Sequence, residues 1–282
     1  MDLNINSKIK LNNGVEIPLL GLGTWEISDG NTVVNAIRWA ISAGYRHFDT
    51  ATIYGNEKGV GQGIKNAMQE CDLKREEIFV TTKLWISSFQ YDKALKAFER
   101  SLKSLNLDYV DLYLLHWPEP THRQDAWKAL EKIYKDGKAR SIGVSNYYQH
   151  HLEELLNEAD VIPTVNQVEL TPYLYLKDLK DFCDNNKIRL EAYSPLTRGR
   201  KLGDKKLMEV AQKYNKTTAQ ILIRWDLQHN IIAIPKSSKE VHILENSQIF
   251  DFTLSEEDMS LLDSFDEKLY VGMWNPTLDR WK

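Results

Sequence analysis

The sequence of 282 residues predicts an α/β fold, a (β/α)8 barrel of parallel strands wrapped by helices and capped by an N-terminal β-hairpin. Eight short apolar runs follow one another along the chain, and longer amphipathic stretches separate them. The runs are continuous, as in strands buried on both faces, and their alternation with helices implies right-handed crossovers and a parallel sheet. The chain length also fits one such barrel, which commonly has about 250 residues.

The elements are expected in the following order. Residues 8–20 (KIKLNNGVEIPLL) contain two strand-like runs around the turn residues Asn-Asn-Gly, which predict the hairpin that caps one end of the fold. Apolar residues three or four apart, as in residues 94–105, predict helices between the strands. The eight strands are expected at LLGLG, YRHF, IFVTTK, VDLYLLH, ARSIGVS, TVNQVE, IRLEAYS and IIAIPK.

No linker divides the chain, so we expect a single domain over residues 1–282. The alternative is an open, doubly wound sheet, because an alternating pattern does not show by itself that the sheet closes.

Composition favours a small-molecule partner. The 36 Lys and Arg residues against 40 Asp and Glu residues leave no basic surface for nucleic acid or an anionic membrane. Cys71 and Cys183 lack metal-ligand spacing and predict reduced thiols. The N-terminus has no apolar signal region, and no apolar run reaches the length of a membrane span. We therefore expect a soluble, cytoplasmic monomer.

Three polar residues stand where consecutive strands end. Asp49 follows YRHF, Lys83 follows IFVTT, and His116 follows VDLYLL, while Tyr54 comes five positions after Asp49. Each alone has a structural explanation, as a helix cap, a surface lysine or a hydrogen-bonded core histidine. Because the C-terminal strand ends of a barrel surround one point, and because buried charges need partners, we expect the four to form one catalytic site.

The reaction that fits these side chains is hydride delivery to a carbonyl group. The carbonyl oxygen then gains negative charge and needs a proton and hydrogen-bond donors beside it. Tyr54 is expected to donate the proton, and the ammonium of Lys83 to lower the pKa of Tyr54 by stabilising its tyrosinate. Asp49 would hold Lys83 by an ion pair, and His116 would orient the substrate oxygen. This chemistry requires no metal.

Several segments of the chain resemble the aldo-keto reductase family. The three longest are GYRHFDTATIYGNE at 44–57, LDYVDLYLLHWP at 107–118 and IPKSSKEVHILEN at 234–246, and the shorter ones are GLGTW, TTKLW, GVSN, NQVE and AYSPL. The resemblance implies a TIM barrel whose catalytic tetrad is Asp49, Tyr54, Lys83 and His116. It also implies a nicotinamide cofactor bound in extended form without a Rossmann domain, and the chain indeed has no G-x-G-x-x-G after a strand.

The same resemblance implies a set of cofactor-binding residues. Among them, Ser145, Asn146 and Gln167 would hydrogen-bond the nicotinamide carboxamide, and Tyr193 would stack on its ring, although core packing is the alternative for Tyr193. The full set is Thr24, Trp25, Asp49, Ser145, Asn146, Gln167, Tyr193, Ser194, Leu196, Lys236, Ser237, His242, Glu245 and Asn246.

The chain departs from the family pattern at the adenine end. Lys236 and Ser237 match residues that bind the 2'-phosphate of NADPH, and Glu245 and Asn246 match adenine contacts, but His242 replaces the usual arginine. An arginine is permanently charged and grips phosphate bidentately, whereas a histidine is only partly charged at neutral pH. We therefore expect NADPH to be preferred through Lys236, with weakened discrimination against NADH.

Tryptophans are expected to wall the substrate pocket. The resemblance assigns substrate contacts to Trp25, Tyr54, Trp85, His116 and Trp117, with Trp274 as a further candidate on the C-terminal tail. The alternative is that these tryptophans only pack at the barrel rim. Because the loop at 118–124 is short compared with that of many relatives, we expect an open site that accepts a broad range of aldehydes and ketones.

Two other functions are compatible with parts of the pattern. Some relatives are channel-associated subunits that sense the cofactor, and fold alone does not exclude such a role, although the intact tetrad argues for chemistry. A barrel aldolase would use Lys83 as a Schiff-base nucleophile, which needs an uncharged amine and is opposed by Asp49 nearby.

Overall fold

The computed structural model describes residues 3–272 and Trp281, and a parallel sheet of eight strands forms its centre. Before this sheet, β1 (Lys8–Lys10) and β2 (Glu16–Pro18) pair antiparallel, which confirms the predicted hairpin. The parallel strands follow in chain order, each beside the next: β3 (Leu22–Gly23), β4 (His47–Asp49), β5 (Phe79–Leu84), β6 (Leu112–Leu115), β7 (Ile142–Ser145), β8 (Val165–Glu169), β9 (Arg189–Tyr193) and β10 (Ile232–Ala233).

The first and last parallel strands meet and close the sheet. The amide of Gly21 donates to the carbonyl of Ala233 at 2.9 Å, and the amide of Gly23 donates to the carbonyl of Pro235 at 3.2 Å. Only glycine fits at these two positions. A Cβ at Gly21 would lie 2.6 Å from a ring nitrogen of His47, and one at Gly23 would lie 2.8 Å from a backbone oxygen. The predicted barrel is therefore confirmed over the open-sheet alternative.

Helices alternate with the strands and cover the outside of the barrel. Their apolar faces pack inward: Ala94, Phe98, Leu102 and Leu105 of the third helix are all buried, as their spacing predicts. The helices are α1 (Asn31–Ser42), α2 (Glu57–Cys71), α3 (Tyr91–Leu105), α4 (Arg123–Lys135), α5 (Gln149–Glu158), α6 (Lys177–Asn185), α7 (Lys205–Lys213), α8 (Thr218–Gln228), α9 (Glu240–Ser247) and α10 (Glu256–Asp263).

A buried carboxylate ties the N-terminal ends of two strands together. Asp111, which directly precedes β6, is fully buried and pairs with Arg75 at 2.8 Å and Arg140 at 2.7 Å. It also accepts a hydrogen bond from the amide of Val80 in β5 at 2.9 Å. Since both of its oxygens accept hydrogen bonds and its charge is paired with two arginines, Asp111 is structural.

Two further properties bear on the expected environment. Among the described residues, no helix has both the length and the apolar character needed to cross a membrane. Cys71 is a free, exposed thiol, and Cys183 is free and buried. Burial raises the pKa of the Cys183 thiol to about 12, so this thiol is unreactive at neutral pH.

Helix α8 buries a carboxyl group that is unrelated to the strand ends. Asp226 is fully buried, and neither of its oxygens has a hydrogen-bond partner within the described part of the chain. Desolvation therefore raises its pKa well above the usual value. An acid whose pKa is higher in the folded state stabilises the fold at low pH and loses that contribution as the pH rises towards the folded-state value.

We expect Asp226→Asn to raise the melting temperature at about pH 8 by about 2 °C or more, because the amide cannot ionise. The gain should shrink as the pH falls towards about 4, where wild-type Asp226 is protonated in the folded and the unfolded state. Thermal unfolding across this pH range measures the effect, with the exposed Asp108→Asn as control. A gain of equal size at every pH would contradict the explanation.

Candidate active site

The polar residues predicted at strand ends lie at the C-terminal mouth of the barrel. Asp49 is the last residue of β4, Lys83 the penultimate residue of β5, and His116 directly follows β6. A short 3-10 turn (Thr52–Tyr54) follows β4, and the hydroxyl of Thr52 fixes it by donating to the carbonyl of Lys83 at 3.1 Å. Parallel pairing of β4, β5 and β6 thus brings the four residues of the predicted tetrad together.

Lys83 is the centre of this group. Its ammonium is fully buried and donates to Asp49 Oδ1 at 2.6 Å, to the carbonyl of Thr50 at 3.0 Å and to Tyr54 Oη at 3.2 Å. These three acceptors use its three hydrogens. A buried ammonium is tolerated only with such complete pairing, so its position and that of the Tyr54 hydroxyl are fixed together.

The surroundings of Tyr54 differ from the expectation. Lys83 alone was predicted to lower the pKa of the phenol, but burial and the nearby carboxyl groups of Asp49 and Glu191 raise this pKa well above its usual value. In this structure Tyr54 therefore carries its proton at neutral pH. A proton donor needs this state, and the ammonium of Lys83, 3.2 Å from Tyr54 Oη, is a group that can stabilise a tyrosinate.

His116 is a buried, neutral imidazole beside Tyr54. The two rings are 5.6 Å apart and meet edge to face, and the ring of Trp85 lies 5.2 Å from His116 on another side. Burial and the charge of Lys83 hold the pKa of His116 well below its usual value. A neutral imidazole has one N–H group that can donate a hydrogen bond, and it carries no positive charge. Such a group can orient an oxygen atom without transferring a proton to it.

A cavity of about 660 Å³ opens above the tetrad. Its walls contain most of the residues predicted to contact cofactor or substrate, and Lys83 lies behind this lining, in contact with Asp49 and Tyr54. The predicted residues that line the cavity are Trp25, Asp49, Tyr54, Trp85, His116, Trp117, Ser145, Asn146, Gln167, Tyr193, Ser194, Leu196 and Lys236.

One wall is a network of side-chain hydrogen bonds. Tyr193 Oη donates to Asn146 Oδ1 at 2.8 Å, and Asn146 Nδ2 donates to the carbonyl of His116 at 3.0 Å. Asn146 has a φ of 66°, a left-handed conformation that asparagine tolerates better than most residues. The hydroxyl of Ser145 donates to the carbonyl of Gln167 at 2.9 Å. The ring of Tyr193 is therefore held along the wall rather than free to rotate.

Of the residues predicted at the adenine end, Lys236 lines the cavity, whereas Ser237, His242, Glu245 and Asn246 do not. Of these, Ser237 is buried and accepts from the amide of Lys239 at the start of α9, and Glu245 accepts from Thr217 at 2.8 Å. His242 is exposed on α9, and Asn246 is buried there. Thr24 is also outside the lining, where its hydroxyl donates to the carbonyl of Asp49 at 2.9 Å. Trp274 lies outside the described residues.

An ion pair that the sequence did not predict lies at the mouth of the cavity. Arg198 donates to both carboxylate oxygens of Glu26, at 2.6 and 2.7 Å, although 172 positions separate the two residues. Glu26 and Arg198 both have left-handed backbone conformations, which no simple motif predicts. The other lining residues that were missed are Gly23, Ile53, Pro195, Gly199, Leu202, Ile234 and Gly272.

A second omission is the carboxyl group of Glu191. It is fully buried in β9 and accepts a hydrogen bond from Gln167 Nε2 at 2.6 Å. The same nitrogen of Gln167 donates to Asp49 Oδ2 at 2.8 Å. The sequence does contain a signal for Glu191, which is a charged residue inside the apolar run IRLEAYS. Glu191 comes two positions before Tyr193, so the two side chains are on the same face of the strand.

Known proteins resemble this chain over nearly its whole length. The sequence model described as the Aldo/keto reductase family matches residues 19–267. A glyoxal reductase of Bacillus subtilis is 50% identical over 272 residues, which cover 96% of this chain and 97% of that protein. The crystal structure of MGS-M4, an aldo-keto reductase from a Medee basin deep-sea metagenome library, has a TM-score of 0.91 at 43% identity and covers 97% of this chain and 100% of that chain. An aldo-keto reductase crystallised with NADPH has a TM-score of 0.89 at 35% identity, covering 94% and 89%.

We expect the variants Asp49→Asn and Lys83→Met each to lower the free energy of unfolding by about 3 to 5 kcal/mol, because each leaves the other charge buried without its partner. The free energy of unfolding of the double variant should fall by much less than the sum of the two single losses. Urea unfolding of wild type, the two single variants and the double variant measures this coupling.

The matched control is the more exposed pair at the cavity mouth, Glu26→Gln with Arg198→Met, for which we expect a coupling below about 1 kcal/mol. Simple additivity at Asp49 and Lys83 would show that the two side chains do not stabilise each other.

Proposed function

Because this chain belongs to the aldo/keto reductase family, we propose that it reduces aldehydes and ketones to alcohols with NADPH and that Tyr54 is the proton donor. The family assignment makes it an oxidoreductase that acts on carbonyl groups. The role of Tyr54 as proton donor is supported by the row of hydrogen bonds from Asp49 through Lys83 to Tyr54. His116 lies beside Tyr54 in the same cavity.

The cavity walls fit a nicotinamide cofactor. Ser145, Asn146 and Gln167 offer the hydroxyl and amide groups that a carboxamide needs, and the fixed ring of Tyr193 offers a flat face for stacking. Lys236 lines another part of the cavity and offers a positive charge for a phosphate. A structural relative crystallised with NADPH supports this assignment. When bound, NADPH supplies the hydride that the carbonyl carbon accepts.

The side chains of the tetrad act on the carbonyl oxygen. His116 donates a hydrogen bond to that oxygen and so holds it beside Tyr54. As negative charge develops on the oxygen, Tyr54 Oη transfers its proton to it, and the product is the alcohol. Lys83, 3.2 Å from Tyr54 Oη, stabilises the tyrosinate that remains, and Asp49 keeps Lys83 in place. Tyr54 then regains a proton from solvent.

Aromatic side chains around the tetrad favour small, partly apolar carbonyl compounds. Trp25 stacks obliquely on Tyr54 with 4.7 Å between ring centroids, and Trp85 and Trp117 line the cavity nearby. Trp25 is 37% exposed, so the entrance is open on that side. A relative with 50% sequence identity is a glyoxal reductase. We therefore propose that small dicarbonyls such as glyoxal are accepted along with other aldehydes.

The geometry at Lys83 supports reduction over Schiff-base chemistry. A nucleophilic amine must be uncharged and free to attack, whereas Lys83 Nζ contacts Asp49 at 2.6 Å and is fully buried. The carboxylate of Asp49 favours the ammonium form, and Lys83 Nζ is not among the groups that line the cavity, so the amine is poorly placed to attack a substrate.

Replacing the proton donor tests the proposal most simply. We expect Tyr54→Phe to lower kcat for glyoxal reduction by about 100-fold or more, because no other described side chain stands beside Lys83 with a proton to give. Steady-state oxidation of NADPH, followed by its absorbance, measures this loss. Fluorescence titration should show that NADPH still binds, since the phenol is not one of the proposed cofactor contacts.

The control for this experiment is Tyr91→Phe, an exposed tyrosine outside the cavity lining. It should leave kcat unchanged. A Tyr54→Phe enzyme with wild-type turnover would remove the basis of the mechanism.

Cofactor selectivity gives a separate prediction. We expect Lys236→Met to lower kcat/KM for NADPH by about tenfold or more and to have a much smaller effect on kcat/KM for NADH. The reason is that the ammonium of Lys236 would face the 2'-phosphate, which NADH lacks. We expect His242→Arg to increase the preference for NADPH by about threefold or more, since a guanidinium grips phosphate more firmly. Kinetics with both cofactors measure the two ratios.

Lys128→Met, on the exposed face of α4, makes the same change of charge away from the cavity and should leave the ratio unchanged. A wild-type preference for NADH, or an unaltered ratio in Lys236→Met, would contradict this assignment.

A further inference from the structure

Glu191 is linked to the tetrad through one amide group. In the sheet, Glu191 of β9 lies opposite Gln167 of β8, and Gln167 Nε2 is 2.6 Å from Glu191 Oε1 and 2.8 Å from Asp49 Oδ2. Glu191 is fully buried, and its second oxygen has no hydrogen-bond partner among residues 3–272 and Trp281. Two carboxyl groups therefore converge on one side-chain nitrogen below the cavity.

The charged groups that act on Glu191 come from several strands. Asp49 on β4 raises its pKa, and Lys83 on β5 opposes this rise. His47, also on β4, is a neutral imidazole, because burial lowers its pKa to about 3.

The remaining neighbours of Glu191 add no charge beside it. Strand β10 contributes only apolar residues (Ile232–Ala233). Two positions before Glu191 on β9, Arg189 donates towards the carbonyl of Lys10 at the hairpin end. Two positions after it, the phenol of Tyr193 is un-ionised, because burial raises its pKa well above the usual value.

The balance of charge decides which carboxyl group carries the negative charge. Asp49 has the ammonium of Lys83 at 2.6 Å, whereas Glu191 has a single amide hydrogen bond. A second buried negative charge without a cation would be costly. Burial raises the pKa of Asp49 as well, but the adjacent ammonium of Lys83 opposes that rise, so Asp49 is the ionised group and Glu191 the protonated one. In agreement with this, burial and the charge of Asp49 raise the pKa of Glu191 to about 8.

We propose that Glu191 is a positioning residue that holds a proton below the tetrad, and that release of this proton to solvent sets the alkaline limit of carbonyl reduction; the inference rests on the proposed role of Tyr54. With Glu191 neutral, Asp49 and Lys83 balance each other, and the tyrosinate formed during turnover faces an ammonium. With Glu191 ionised, the cluster has one extra negative charge. That charge opposes the formation of tyrosinate, so Tyr54 becomes a weaker acid and reduction slows.

The variant Glu191→Gln keeps the shape of the side chain and cannot ionise. Wild-type kcat for glyoxal should fall as the pH rises through about 8, because burial and the charge of Asp49 raise the pKa of Glu191 to about 8. In Glu191→Gln this fall should move upward by about one pH unit or more, to the range set by Tyr54 itself. Profiles of kcat and kcat/KM measured with NADPH show the shift. An unchanged alkaline limit would overturn the proposal.

The matched control is Glu57→Gln. Glu57 is also a buried glutamate whose pKa is raised by burial, but its carboxyl group accepts from Thr82 at 2.7 Å and does not contact the tetrad. Its profile should keep the wild-type alkaline limit. A shift of equal size in both variants would mean that any buried glutamate has this effect, which would also overturn the specific role of Glu191.

A second measurement needs neither cofactor nor turnover. The folded-state pKa of Glu191 is above its unfolded value, so wild type loses stability as the pH rises between the two. The melting temperature of Glu191→Gln relative to wild type should therefore increase from about pH 5 to about pH 8 and then level off. The infrared difference spectrum of the cofactor-free proteins, wild type minus Glu191→Gln, should show the carboxylic acid band of Glu191 at neutral pH, because the band of the buried Asp226 is common to both proteins and cancels.

These measurements distinguish the proposed role of Tyr54 as proton donor from the proposed protonated state of Glu191. Full activity of Tyr54→Phe would remove the proposed mechanism while leaving the infrared band and the slope of stability with pH intact. Absence of the band, or a flat difference in melting temperature, would overturn the protonated state of Glu191 even if Tyr54 is the proton donor. Should Glu191→Gln fail to fold, Glu191→Met, with an apolar side chain of similar length, gives the same outcomes.

Discussion

The buried ion pair between Lys83 and Asp49 is the interaction on which the rest of the site depends. A fully buried ammonium requires that all its hydrogens meet acceptors, and it finds them in Asp49, the carbonyl of Thr50 and Tyr54. This arrangement is possible only because β4 and β5 are parallel neighbours whose C-terminal ends lie side by side. The barrel thus places the two strand ends side by side, and the ion pair holds Lys83 where it fixes the position of the Tyr54 hydroxyl.

The protonation states of the site residues are set mainly by burial in the barrel interior. Burial keeps His116 neutral and Tyr54 protonated, which are the states that the proposed mechanism needs before substrate binds. The same burial makes the site sensitive to any further charge, because opposite and like charges act strongly where water is excluded. Glu191, joined to Asp49 through Gln167, is the described group through which such a charge would enter.

The fold was largely predictable from the sequence, whereas parts of the site were not. Continuous apolar runs located all eight parallel strands, and polar residues at strand ends located the tetrad, because both signals are local. The pair formed by Glu26 and Arg198 depends on contacts between residues 172 positions apart, and the raised pKa of Tyr54 depends on Glu191 and on burial. Neither is encoded in a short motif. The single domain over residues 1–282, the monomeric state and the cytoplasmic location stay predictions.

The most direct measurement of the central claim is a crystal structure of the enzyme with NADP⁺ and an unreactive carbonyl analogue. We predict that the carbonyl oxygen of the analogue lies within hydrogen-bond distance, about 2.6 to 3.2 Å, of both Tyr54 Oη and a ring nitrogen of His116. We also predict that Lys83 stays between Asp49 and Tyr54, as it does here. An analogue whose oxygen binds away from Tyr54, or a Lys83 turned away from the phenol, would contradict the proposed mechanism.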